Sequence, residues 1–403
     1  MNAEPEQRTS APRRRELDVL RTLVVLGLVF FHAALVFDPR DDFYVKNADT
    51  TEAVTVLAGL AVVWAMPMLF LVAGLGARHS VRRRGAGRFA RERLLRLGVP
   101  LVFVTVVLNP LPQWLRARAA DPGHHESYWS FWPRFLTVHL DLGDFPFLLD
   151  GDHFDTGHLW FVVLLLTFCL LLAPLAALLP AGTDGAGRAV ARRPWLLLLP
   201  ALPLAAVNSL LGMEEGYAGW NRWAYLIFFL CGYTLADDDQ VRAVLRRLAL
   251  PVGVLGLVLF AATAPGFLSG DDPFTARTWT AMATRALFGA AGWCWVTAVL
   301  GFLDRPREPG TSALDRPGRG RDLLAYFAVA ALPLYVLHQP LVVAFAYGVV
   351  GWSAPIVVKY VVIVTGSLAV LLLVYEFGVR RTRVTRFLFG MRPEPSSVRP
   401  RTT

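Results

Sequence analysis

The chain of 403 residues is 55% hydrophobic with a mean hydropathy of +0.46, well above what the core of a soluble domain requires. Its formal charge of +9 would suit nucleic acid, but the placement of that charge excludes it. Thirty of the 40 Lys and Arg fall in the two tails and in alternate loops, seven in the other loops or at their edge (Arg222), and three (Arg21, Arg285 and Lys359) deeper inside apolar segments. That is the pattern of a polytopic membrane protein with both termini in the cytoplasm.

Apolar segments of spanning length are read at 17–37, 54–77, 97–115, 158–178, 194–213, 221–236, 248–268, 279–303, 323–348 and 355–377, the sixth being short. The expected fold is all-α, with about ten transmembrane helices. Residues 1–14 read as a disordered basic N-tail, 15–380 as the membrane domain and 381–403 as a basic cytoplasmic C-tail. The first segment lacks a small-residue cleavage site and is expected to stay as the first helix.

That first segment carries Asp18, Arg21 and His32. Ionisable groups at membrane depth cost a few kcal/mol each and mark function. The eleven residues from Arg21 to His32 return to nearly the same helix face about 16 Å further on, with Asp18 about 40° away. In the loop after the second segment, Arg88 precedes Arg93 and Arg96, which a helix would project from one side. Paired guanidiniums suit phosphate, while membrane anchoring is the plainer alternative. The stretch 116–157 is aromatic and acidic without obvious secondary structure, as a lid or sugar-stacking surface would be.

His158 opens the fourth segment in Gly157-His158-Leu159-Trp160-Phe161, and His338 lies in Tyr335-Val336-Leu337-His338-Gln339-Pro340, where the proline should kink the helix and free carbonyls. His124, His125, His153 and His158 with Asp152 and Asp155 lack zinc-like spacing, so no metal is assigned and a solvated acidic loop is expected. Cys169, Cys231 and Cys294 lie in spans and read as core residues. No phosphate loop, dinucleotide fingerprint or nucleophile elbow is present.

These residues resemble acyltransferase family 3 over about 15–380. The likeness rests on Arg15-Glu16-Leu17-Asp18-Val19-Leu20-Arg21 with His32, on Trp64 through Gly74, on Arg93-Leu94-Leu95-Arg96 before Pro100, and on the His158 and His338 stretches. The Asn47 stretch and the run through Gly74 look most like the branch that includes the glucan-modifying succinyltransferase. The resemblance implies transfer of an acyl group, commonly acetyl, from cytoplasmic acyl-CoA to a hydroxyl of a glycan or glycosylated small molecule. The plasma (inner) membrane of a bacterial-type cell, no tightly bound cofactor and no nucleic-acid partner go with that reading. It maps the family's essential histidine and arginine onto His32 and Arg21 and its Arg-x-x-Arg pair onto Arg93 and Arg96. His32 would take a hydroxyl proton, Arg21 oriented by Asp18 would hold the donor or developing charge, and Arg93, Arg96 and Arg88 would hold phosphates. His158, Trp160, His338 and Gln339 are candidates for an acceptor site or pore. A transporter or flippase is the competing class, with Arg21, His32, Arg285, Lys359 and Glu376 as its pathway.

Overall fold

The computed structural model describes residues 15–121, 123, 125–176, 184–235, 238–268, 272–304 and 319–392. The expected N-tail 1–14 and His124 lie outside these residues. Each apolar segment read above is helical. The first is α1 (Arg15–Leu35) and the second divides at Val63-Trp64 into α2 (Glu52–Val62) and α3 (Ala65–Arg84). The third comprises α4 (Ala86–Arg93), a π-helical turn Leu94–Gly98, α5 (Val99–Val107) and α6 (Pro110–Ala120).

The stretch expected to lack secondary structure instead holds α7 (Tyr128–Phe135) and a hairpin of β1 (His139–Leu140) and β2 (Leu149–Asp150), with His139 opposite Asp150. Its aromatics need cover, and Phe131 and Phe135 find it. Trp132 Nε1 donates to Val106 O at 2.9 Å, and the Ser127 hydroxyl caps α7 by accepting from Ser130 N–H at 3.2 Å.

Next come α8 (Trp160–Leu175), α9 (Asp184–Arg192), α10 (Ala201–Leu211), α11 (Arg222–Thr234), α12 (Asp239–Ala261), α13 (Ala264–Leu268) and α14 (Trp279–Leu303). The chain closes with α15 (Arg319–Val349), α16 (Ile356–Leu373), a second π-helical turn Val374–Val379 and α17 (Arg383–Leu388).

Among the described residues nine helical runs are long and apolar enough to cross a bilayer. The sixth segment is the exception, because α11 has 13 residues, or about 20 Å against a hydrocarbon core of about 30 Å. Backbone contact compensates for its length. A Cβ at Gly74 of α3 would collide with Phe229 O, and one at Gly232 of α11 with Leu71 O, so the two helices touch main chain to main chain. Arg78 closes the pair by donating to Tyr233 O and Thr234 O at 2.9 and 2.8 Å. The spans containing α15, α8 and α14 are 67%, 61% and 61% buried, whereas that of α10 is 17% buried, so the first three form the centre and α10 the rim.

Candidate active site

Pro340 interrupts α15 and has no N–H to give the carbonyl four residues earlier. That carbonyl, Val336 O, accepts from His158 Nε2 at 3.2 Å instead. The Tyr335 hydroxyl donates to His158 O, and the His158 N–H donates to Gln339 Oε1 at 2.9 Å. One proline-bearing helix therefore holds His158 by ring and main chain together.

His338 adds the decisive contact. Its Nδ1 bonds to Tyr335 O, and its Nε2 lies 3.0 Å from His32 Nδ1 with the rings stacked at 4.9 Å. A carbonyl only accepts, so the His338 proton sits on Nδ1 and its neutral ring presents a lone pair at Nε2. His32 Nδ1 is then the donor across the pair. The lone pair of His32 is left on Nε2, which has no hydrogen-bond partner among the described residues. Phe31 and Phe43 flank this ring at 5.4 and 5.9 Å, and His158 meets His338 edge-on at 5.0 Å.

Above the histidines lies a polar layer that the sequence did not single out. Asp155 accepts from Tyr44 Oη at 3.0 Å, from Gln113 Nε2 at 2.8 Å and from Gly157 N–H at 2.7 Å. Gly157 has φ +51°, and a Cβ there would lie 2.8 Å from Tyr44 Oη, so both conformation and space require glycine. Asn109 Nδ2 donates to Thr156 O at 2.8 Å. Burial, and then the Asp155 carboxylate, push the Tyr44 phenol above its ordinary range and keep it a donor. Asp155 is thus the hub of this layer rather than part of a solvated loop. The only sequence signal was its place three residues before His158.

The remaining candidates fall elsewhere. Trp160 belongs to an aromatic layer with Tyr225 at 5.3 Å and Tyr217 at 5.7 Å. His125 is exposed, and His153 pairs with Arg134 at 2.7 Å. Arg285 donates to Pro273, Phe274, Ser209 and Ala276 carbonyls, Lys359 to Asn47 Oδ1 and Val350 O, and Glu376 accepts from Tyr326 and Arg380. None of these three joins His32 in a common line.

At the other end of α1, Asp18 pairs with Arg21 at 2.8 Å, as the three-residue spacing requires. Both lie about three to four turns from His32 and group with the loop arginines. Arg96 feels the charges of Arg392, Arg93, Arg21 and Arg84. The π turn separates the two motif arginines, with Arg93 5.3 Å over the Phe89 ring and Arg96 Nε donating to Gly390 O at 3.2 Å. Arg88 is exposed and adds its charge near Arg84.

The molecule thus has an arginine end and a histidine end joined by α1. No curated protein and no solved structure matches the chain. An acyltransferase domain, that of Acyl_transf_3, matches residues 14–376, which hold both ends apart from Gly390 and Arg392. With that match over nearly its whole length the chain belongs to acyltransferase family 3.

Proposed function

We propose that this membrane acyltransferase moves an acyl group, acetyl being the simplest, from acyl-CoA at the arginine end to a hydroxyl of a glycan or glycosylated small molecule at the histidine end. The observation that carries the reading is the hydrogen-bonded series Tyr335 O, His338, His32, which leaves a lone pair on His32 Nε2. As the acceptor oxygen attacks the thioester carbonyl, its proton passes to Nε2. The carbon–sulfur bond then breaks, the thiolate takes that proton from the His32 imidazolium, and CoA departs as the thiol. A base so placed contributes about 10²–10⁴-fold to the rate.

The donor's phosphates suit the forked guanidiniums of Arg93 and Arg96. Its slender pantetheine arm would cover the roughly 16 Å of helix between Arg21 and His32. The excess of basic residues on the arginine side supports a cytoplasmic donor and a bacterial-type plasma membrane location. Asp155, Tyr44 and Gln113, next to the histidines, offer polar groups to a sugar. The branch likeness adds nothing about the acceptor, since Asn47 holds Lys359 at 2.8 Å and Gly74 packs on Phe229. The dispersal of Arg285, Lys359 and Glu376 speaks against a continuous transport path.

Replacing His32 with Ala in the purified protein is expected to lower acyl transfer at least about 100-fold, with the protein still monodisperse and CoA binding retained by calorimetry. A rate within a few-fold of wild type would remove the base assignment. Wild-type protein that binds no CoA yet moves a solute across vesicles would favour the transporter.

A further inference from the structure

Beyond the last membrane helix the chain passes through α17 and doubles back onto the arginine end. Gly390 makes this possible. Its φ is +68°, and a Cβ there would collide with Arg96 O and lie 2.7 Å from Leu332 and 2.9 Å from Pro100. Phe389 and Met391 are buried, and the Phe389 ring meets Phe103 at 5.5 Å. Met391 N–H donates to Arg386 O at 2.8 Å, and Arg386 Nη2 donates to Arg392 O at 3.1 Å. The strap Phe389–Arg392 is therefore tied down along its length.

Its product is the position of Arg392. Glu92 receives Arg84, Arg96 at 3.7 Å and Arg392 at 3.7 Å, while Arg93 and Arg21 act on Arg96 through their charge. Among the described residues the carboxylate paired with Arg84, Arg96 and Arg392 is Glu92, while Asp18 pairs with Arg21. Such a surplus at close range is costly until a polyanion enters. The strap lies past residue 376, where the family match stops.

We propose that Arg392, delivered by the Phe389–Arg392 strap, binds phosphate of the donor nucleotide, and that the strap forms one wall of the donor site with Arg96. This rests on the acyl-CoA reading for the identity of the ligand. A nucleotide with a diphosphate and a separate ribose phosphate offers several anionic groups at fixed spacing, which matches guanidiniums drawn from α3, α4, the π turn and the strap. A phosphatidylglycerol headgroup offers one phosphate.

The test uses the full-length protein in uncharged detergent, titrated calorimetrically with CoA, inorganic pyrophosphate and short-chain phosphatidylglycerol. Arg392→Gln is expected to weaken CoA about tenfold and to raise the KM for acyl-CoA by a similar factor with kcat unchanged. Arg392→Lys should recover part of the loss, because it keeps the charge but not the fork. Arg392 is exposed, so loss of folding does not confuse the result. Wild-type protein that binds CoA, with Arg392→Gln binding it equally well, overturns the strap while the donor reading stands. Arg392-dependent binding of pyrophosphate without CoA binding overturns the donor reading and supports a phosphate site at the strap. Arg392-dependent binding of phosphatidylglycerol alone, or binding of none of the three, overturns the inference.

Discussion

His338 and His32 are the same residue type in contact, yet their hydrogen bonds give them different work. His338 spends both nitrogens, one on Tyr335 O and one on His32, so in the proposed mechanism it orients and steadies its neighbour. His338→Gln keeps an acceptor for His32 Nδ1 and is expected to lose about tenfold in kcat, whereas His338→Phe, with no acceptor, should lose about 100-fold or more. Both should leave the KM for acyl-CoA unchanged, because the arginine end is untouched. Equal rates for the Gln and Phe variants would assign His338 to packing alone.

At the scale of elements, the site depends on imperfections in its helices. Pro340 withdraws one N–H from α15 and thereby gives His158 a carbonyl to bind. Pro340→Ala restores that N–H, and Val336 O then has a main-chain suitor. The expected result is a folded protein of equal or higher Tm with kcat lowered several-fold, measured by thermal unfolding alongside acyl transfer. Unchanged activity would show that the His158 contact is incidental. The π turn Leu94–Gly98 acts similarly, directing Arg93 to Phe89 and freeing Arg96 for Gly390. Charge at Arg93 and Arg96 was legible from their type and spacing. Their separate partners were not, because a π turn leaves no mark in hydrophobic periodicity.

For the whole molecule, the separation of an arginine end from a histidine end would give the proposed reaction its direction. If the excess of basic residues faces the cytoplasm, reporters fused after Arg247 and after Arg383 should read cytoplasmic, and one after Asp144 exterior. An exterior signal at Arg383 would mean that the 13-residue α11 does not complete a crossing. The sequence alone determined that the chain is a helical membrane protein and where its apolar helices run, and it singled out Asp18, Arg21, His32, Arg93 and Arg96 as candidates. It did so because burial of charge in an apolar segment is costly enough to be selected only for a purpose. Tertiary structure decided which histidine meets His32, which nitrogen holds the lone pair, and that Tyr44, Asp155 and Arg392 belong to the two ends. Those facts depend on residues some 300 positions apart and on carbonyls released by a proline or closed off by a glycine. Hydrogen-bond partners across such distances are set by helix packing, and no local pattern records them.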